Sequence, residues 1–153
     1  MKYILLIHVL GMAVLTGLLL PELLVRKKYH AAESPETKLA FARLHMQLSH
    51  ISGLAFWVVL LAGIGLMVMG NYPWFNFRDT LWLAIKQCLA IGTLIWVWSG
   101  LPKMRRIGAA LMASAPDAPD LSEKLAMFES VMGIFHRKLS IAWIMAILGV
   151  LRI

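Results

Sequence analysis

The sequence predicts an all-α fold, an integral membrane four-helix bundle formed by a single domain that covers residues 1–153. Two observations lead to this prediction. Hydrophobic residues make up 60% of the chain, whereas soluble domains are usually about 45–50% apolar. The apolar residues also fall into four segments, each with about the 20 residues that a membrane-spanning helix needs. These segments are residues 3–25, 51–70, 80–100 and about 133–151.

The charged residues indicate how these helices are oriented. The net charge is +7, but the basic residues are unevenly distributed. Eleven of the 15 Lys and Arg residues follow the first or the third span, and only Lys2, Arg78 and Arg152 belong to the opposite side. By the positive-inside rule, both termini face outward and both long connections face the cytoplasm of a bacterial inner membrane. Membrane topology therefore accounts for the charge, and nucleic-acid binding is not expected.

The first two helices have clear boundary signals. Pro21, near the inner end of the first span, is expected to kink that helix because proline removes one donor and crowds the preceding turn. Ser34 and Pro35 then form a start signal, with Ser34 as the N-cap and Pro35 as the first helical residue. The next helix-breaking cluster, "GNYPW", begins at Gly70. The second helix should therefore be about 50 Å long, more than the hydrocarbon layer of about 30 Å, and its first turns should extend into the cytoplasm.

The third and fourth helices are predicted to extend beyond the membrane in the same way. A tight outer turn near residues 71–78 leads to Asp79, the predicted N-cap of the third helix. Pro102 should kink this helix, which ends before the "SAPDAPD" segment at 114–120. Asp120 is a capping signal for the fourth helix, which contains the last span. Helices two to four are thus expected to extend into the cytoplasm.

His8 and Lys86 are conspicuous because they are ionisable residues inside predicted spans. Both should lie roughly 8–10 Å below the outer boundary, His8 on helix one and Lys86 on helix three. Such residues are candidates for function. We expect them to line a cofactor-binding site, with His8 as a metal or haem ligand and Lys86 in a catalytic role, holding an anionic group or moving a proton. The alternative is that Lys86 reaches the outer surface with its long stem and that His8 only satisfies its hydrogen bonds within the bundle.

Histidines near the inner ends of helices two and four form a second candidate site. His50 lies nearest the predicted membrane boundary, and His136 can lie level with it, so these two are the predicted pair of ligands for haem iron or another metal. His45 is more than one turn further from the membrane, and Glu22 could join the group. The alternative is that these are interfacial histidines without a ligand. No short metal or haem motif decides between the two interpretations.

Two local patterns resemble a group of small four-span bacterial inner-membrane proteins. One is "IHVLGMAVLTGLLLPELLVRKKYH", which has His8 early in helix one, a proline-containing exit and a tyrosine–histidine pair. The other is "LWLAIKQCLA", in which Trp82 precedes Lys86 by four residues. In these features the chain is similar to the HemJ-type protoporphyrinogen oxidases and to the membrane domain of CopD-type copper-resistance proteins. The resemblance implies functional roles for His8 and Lys86 and association with haem b. The chain departs from the HemJ-type pattern at Glu22, where that family has a basic residue.

The sequence therefore predicts an inner-membrane protein that binds haem b or acts in a haem pathway, with a redox role toward porphyrin or quinol. Two other classes of protein fit the same residues. One is a copper-handling membrane protein that uses His and Met side chains, of which the chain has 5 and 10. The other is a non-catalytic accessory subunit, which would pack against a second copy of itself or a larger membrane protein.

Overall fold

A computed structural model of the protein describes residues 1–132 and Ile144, apart from the side chains of Trp96 and Val97. Within these residues all regular secondary structure is helical, as predicted. The complete helices are α1 (Lys2–Gly17), α2 (Leu19–Ala31), α3 (Pro35–Met69) and α4 (Leu81–Ala113). A further helix, α5, begins at residue 121 and is described to residue 132. Apart from Ile144, the predicted span at 133–151 lies outside the described residues.

The first predicted span is a broken helix. α1 ends at Gly17 and α2 begins at Leu19, so only Leu18 separates them. Pro21 explains the position of the break, because it cannot donate to the carbonyl of Gly17, four residues earlier, and its ring crowds that turn. The interruption thus falls where Pro21 predicts one, and the two parts together still form one apolar stretch, Lys2–Ala31.

α3 is the long second helix that the sequence predicts. It has 35 residues, which corresponds to about 50 Å. Its first turn is capped as predicted, because the Ser34 hydroxyl oxygen accepts a hydrogen bond from the Thr37 backbone N–H at 3.1 Å. α1, α2 and α4 all pack against α3, so this helix is central to the described bundle.

The start of α4 differs from the prediction. The helix begins at Leu81 with Thr80 in the N-cap position, so the prediction that Asp79 is the N-cap is wrong by one residue. The Asp79 carboxylate instead accepts a hydrogen bond from the Asn76 side-chain amide at 2.9 Å. This contact within the preceding loop competes with the capping role.

The middle of α4 is bent where its proline predicts a kink. The axis changes direction by 42° between Ile95 and Trp98. Pro102 lies inside the helix and leaves the Trp98 carbonyl, four residues earlier, without its usual donor. The bend is therefore a proline kink, as predicted.

At the predicted inner side, α2, α3, α4 and α5 enclose a hydrophobic core, which we call the inner core. Tyr29, Leu111 and Phe128 are fully buried in it. The rings of Tyr29 and Phe128 pack edge to face with centroids 5.5 Å apart. The full set of buried residues is Tyr29, Leu39, Ala42, Met104, Ile107, Leu111, Leu121, Leu125, Phe128, Val131 and Met132. The predicted helix extensions are therefore a packed unit.

Arg43 ties α3 to the end of α4 at the edge of the inner core. Its guanidinium donates hydrogen bonds to the backbone carbonyls of Leu111 at 3.2 Å, Met112 at 3.3 Å and Ser114. The last carbonyls of a helix have no partner within that helix, and a cation is favoured at this end by the helix dipole. Arg43 thus caps α4.

The opposite part of the molecule, residues 1–17 and 51–95, is called the outer half. Its large apolar side chains mostly point away from the protein; Leu5 and Leu61, for example, are 52% and 63% exposed. A soluble monomer rarely exposes so much contiguous apolar surface. This half therefore resembles a surface that lipid covers.

Several of the helices have the length and composition of membrane spans. Lys2–Ala31 and Pro35–Met69 are long and apolar enough to cross a membrane, and α4 provides a third such stretch if its two bent parts are counted as one. These stretches cover the first three predicted spans to within one residue at each end. The chain thus has the character of a membrane protein.

Candidate cofactor site

His8 is held against α3 by a hydrogen bond to the main chain. Its Nδ1 lies 3.0 Å from the carbonyl oxygen of Val59. A carbonyl oxygen can only accept, so Nδ1 carries the hydrogen, and in the neutral imidazole Nε2 then has a free lone pair. Metal-ligating histidines usually have this arrangement, in which one ring nitrogen donates to a carbonyl or carboxylate and the other binds the metal.

Two glycines allow α1 and α3 to approach closely at this level. A Cβ atom at Gly63 would lie 3.3 Å from Cε1 of His8, so a side chain there would press on the imidazole. A Cβ atom at Gly11 would lie 2.9 Å from Cγ2 of Val59, which is too close for an ordinary contact. Small residues commonly permit such close packing of membrane helices. Here they let the His8 ring reach the Val59 carbonyl.

The side chain of Lys86 turns toward the outer loop. Its ammonium nitrogen lies 5.0 Å from the centroid of the Trp82 ring, within cation–π range. Trp82 is one turn nearer the start of α4, so this contact directs the charge outward. Lys86 is half-buried and still close enough to His8 for an electrostatic interaction.

His8 and Lys86 are near each other, but their depths differ. Gln87, which follows Lys86 in the chain, hydrogen-bonds to the sulfur of Met67 at 3.2 Å, whereas His8 bonds to Val59. The His8 ring also lies against Gly63, and Met67 follows Gly63 by four residues on α3, or about 6 Å. Lys86 therefore starts from a position nearer the outer loop, and the predicted match in depth is only approximate.

Gln87 is a structural residue that the sequence did not reveal. Its side-chain oxygen accepts a hydrogen bond from the Phe75 backbone N–H at 2.7 Å, while its amide nitrogen contacts Met67. Phe75 has a positive φ of 51°, which is uncommon for a residue with a side chain. Gln87 thus fixes an unusual loop conformation directly above α3 and α4.

Only one of the two predicted inner ligands lies within the described residues, so their pairing stays a prediction. His50 is exposed on α3, and His136 lies outside the described residues. His50 precedes Val59 by nine residues, about 13 Å along the helix, so one metal ion cannot bind both His50 and His8.

His45, which the sequence placed further from the membrane than His50, is the buried inner histidine among the described residues. It is 4% exposed, and its ring packs edge to face on Phe128 with centroids 5.7 Å apart. It lies on the part of α3 before the predicted span at 51–70. Burial there, followed by the nearby charge of Arg26, lowers the pKa of the imidazole to about 4. His45 is therefore neutral at physiological pH.

Helical periodicity explains why His45 is buried and His50 is not. A period of 3.6 residues places the buried positions of α3 on one face. These positions include Leu39, Ala42, His45, Ser52, Ala55 and Ala62. His50 follows His45 by five residues, which rotates it about 140° around the helix. The sequence ranked these histidines by distance from the membrane boundary, whereas their burial follows the helix face.

Glu22 is the single buried acidic residue in the part of the chain that the structure describes. It is 3% exposed, whereas the other seven Asp and Glu residues are all exposed. The Ser52 hydroxyl donates a hydrogen bond to its Oε1 at 2.5 Å, which joins α2 to α3. The sequence placed Glu22 near the inner histidines but did not identify Ser52 as its partner.

The donors around His8 can be compared with what different metals need. Within the described residues, no three side chains of His, Cys, Asp or Glu come together as a metal site. Zinc and copper ions usually take three or four protein ligands. Haem iron needs only one or two, because the porphyrin supplies the others. Within the described residues, His8 thus offers a single oriented imidazole donor.

Comparison with known proteins adds no relative to this picture. No protein-family model, no curated protein and no solved structure matches the chain. The resemblance to the HemJ-type and CopD-type proteins thus rests on the residue patterns around His8 and Lys86 alone.

Proposed function

We propose that this chain is an integral protein of the bacterial inner membrane, a four-span bundle with both termini outward, and that it binds haem b with His8 as an axial ligand. The observation that carries the proposal is the hydrogen bond between His8 Nδ1 and the Val59 carbonyl. It determines which ring nitrogen bears the hydrogen and orients Nε2 as the ligand atom.

The neighbours of His8 suit a porphyrin. Leu5 and Met12 lie three and four residues away on the same helix face. Leu5 is about half exposed and Met12 packs beside the small buried pair of Leu15 and Ala55. A flat apolar macrocycle would lie against these side chains without burying a charge.

Lys86 would complete the site electrostatically. Its ammonium lies on the outer side of His8 and within electrostatic range of it, where it can pair with a carboxylate such as a haem propionate. In the redox form of the proposal, Lys86 also gives or takes the proton that accompanies electron transfer with a porphyrin or quinol.

The test is the absorbance spectrum of the full chain purified from membranes, with haem quantified as its pyridine haemochrome. We expect a Soret band and stoichiometric haem in the wild-type protein. His8→Ala should lose most of the haem, whereas His50→Ala, which removes an exposed histidine from α3, should keep it. Equal haem content in the two variants would exclude His8 as the ligand, and wild-type protein without haem would overturn the proposal.

Two other results of the same purification would point to different functions. Stoichiometric copper without haem would favour a copper-handling protein. Tight co-purification of a larger membrane protein, with neither haem nor copper, would favour an accessory subunit.

A further inference from the structure

A second binding surface, separate from His8, lies on α4 where this helix bends. An open groove of about 430 Å³ is lined there by Ile91, Leu94, Ile95, Trp98 and Ser99. We call it the α4 groove. Its lining is apolar apart from Ser99, and Ile95 and Trp98 are 68% and 67% exposed. The groove belongs to the inner half of the predicted third span, so the proposed membrane places it among the acyl chains of the inner leaflet.

Three basic residues, which we call the α4 cations, follow the groove on the same helix. Lys103, Arg105 and Arg106 come four, six and seven residues after Ser99, or about 6–11 Å further along the axis. Lys103 and Arg106 share a helix face with Ser99, and Arg105 follows Trp98 by seven residues on the neighbouring face. All three side chains are exposed. The inner end of the groove therefore leads to a cluster of positive charge.

The α4 cations differ from the cations of the inner core, which are engaged by the protein. Lys124 forms an ion pair with Asp120 at 2.9 Å, Arg43 caps α4, and the ammonium of Lys38 lies 5.9 Å from the centroid of the Tyr29 ring. Within the described residues, the side chains of the α4 cations have no ion pair, hydrogen bond or aromatic contact. Three positive charges at the predicted membrane boundary are thus available to an anion.

An apolar groove that leads to unpaired cations has the chemistry of a phospholipid site. Arg and Lys donate charge-assisted hydrogen bonds to phosphate oxygens, and Arg can do so with two donors at once. Basic positions at the cytoplasmic ends of membrane helices bind anionic lipid headgroups in this way. The groove offers an acyl chain an apolar surface directly beside the charge.

Charge also distinguishes a lipid from a second copy of the chain as the occupant. A symmetric pair of membrane proteins has its two-fold axis along the membrane normal, so identical levels of the two copies meet. Docking through the α4 groove would bring the two sets of α4 cations to one level, where like charges repel. An anionic lipid would instead neutralise them.

We propose that the α4 groove and the α4 cations form a binding site for one anionic phospholipid of the inner leaflet, with its phosphate on the cations and an acyl chain in the groove. The site rests on the proposed membrane placement and not on haem binding at His8. Purified protein that retains the lipid without haem would overturn only the haem proposal. Purified protein that contains haem but does not prefer the anionic lipid would overturn only this site.

The headgroup contact is tested by native mass spectrometry of the full chain in detergent, titrated with phosphatidylglycerol or with zwitterionic phosphatidylethanolamine. We expect one phosphatidylglycerol to bind more tightly. Arg105→Gln combined with Arg106→Gln should weaken its binding about 25-fold, or about fivefold for each charge removed. Lys27→Gln combined with Lys28→Gln removes the same charge from exposed positions on α2 and should keep the wild-type affinity. Equal losses in the two double variants, or equal affinity for the two lipids, would overturn the site.

The contribution of the groove is tested by filling it with a larger side chain. Ile95→Trp should weaken phosphatidylglycerol binding by at least about fivefold, because an overfilled site is unfavourable. Leu61→Trp, at a similarly exposed position on α3, is the control and should bind as the wild type does. Both positions are exposed, so thermal unfolding should stay unchanged.

Other occupants of the groove give different results. Unchanged lipid binding in Ile95→Trp would overturn the acyl-chain contact, as expected if residues 133–151 cover the groove. A lipid-free dimer that Ile95→Trp dissociates would assign the groove to a second copy of the chain. Displacement of the lipid by millimolar inorganic phosphate would show that the cations bind phosphate without help from the groove.

Discussion

The inner core and the outer half are built from similar apolar residues but in opposite arrangements. Leu111 of α4 is fully buried in the inner core, whereas Leu61 of α3 is 63% exposed. The inner core also has polar contacts at its edges, such as those of Arg43 and Tyr29. In the outer half, α1 meets α3 mainly through small residues and one histidine hydrogen bond.

This difference is what the proposed membrane placement predicts, with water around the inner core and lipid around the outer half. Water drives apolar side chains together at the inner end. Lipid removes that driving force, so membrane helices associate through close backbone approach and polar contacts. Stability should therefore depend on buried volume in the inner core and on small residues in the outer half.

The largest effect on stability is expected when a buried ring is removed from the inner core. Phe128 is fully buried and packs on both Tyr29 and His45. Phe128→Ala should lower the free energy of unfolding by about 3–5 kcal/mol. The matched change Leu61→Ala, on the lipid-facing surface, should lower it far less. Denaturant titration in one detergent compares the two, and equal losses would remove the distinction between the regions.

The next effect is a pH dependence of the free energy of unfolding that originates in the inner core. Because the pKa of His45 is about 4 in the folded protein, against the ordinary histidine value of 6.5, the unfolded state binds the proton more readily. The contribution of neutral His45 is thus fully present above about pH 6.5 and is lost as the pH falls toward 4, by about 3 kcal/mol. His45→Phe should flatten this part of the profile of unfolding free energy against pH. The same slope in both proteins would contradict the assignment to His45.

A smaller effect is expected at the edge of the inner core. Arg43→Lys keeps the charge but loses the planar fork that reaches several carbonyls. We expect the free energy of unfolding to fall by about 1–3 kcal/mol and amide exchange in the last turn of α4 to become faster. Arg105→Lys, at an exposed position on the same helix, is the control and should change neither quantity. Equal exchange in the two variants would show that Arg43 does not cap α4.

The smallest effects belong to the glycines of the outer half, and their signs should differ. Gly11→Ala would place a methyl group against Val59 and should destabilise the α1–α3 contact. Gly53 has no atom within 4 Å of a Cβ position, so Gly53→Ala should stabilise α3 by up to about 1 kcal/mol through helix propensity. Thermal unfolding in lipid bicelles measures the change in stability of both variants. If both changes stabilised the protein, the close approach at Gly11 would be refuted.

The parts of the fold that were predicted correctly depend on signals that act within one helical turn. Ser34 with Pro35 begins α3, Pro21 breaks the first span, and Pro102 accompanies the bend of α4. The error at Asp79 is also local, because its carboxylate bonds to Asn76 in the loop.

The contacts that were missed depend on the rotation and relative height of packed helices. The partners of Arg43, Gln87 and Glu22 are 68, 20 and 30 residues away in the chain. No local pattern fixes such distances. The burial of His45 is different, because its spacing from Leu39 and Ala42 could have been read from the sequence as one helix face.

The most direct test of the two-solvent account is cysteine labelling with a membrane-impermeant maleimide. In a Cys88→Ser background, which removes the native thiol, single cysteines are placed by Tyr72→Cys in the outer loop, Leu61→Cys on the lipid-facing surface and Ser122→Cys beside the inner core. We predict labelling of the Tyr72 position in intact cells, of the Ser122 position only after lysis, and of the Leu61 position in neither case. Labelling at Leu61 as fast as at Tyr72 would show that water, and not lipid, covers the outer half.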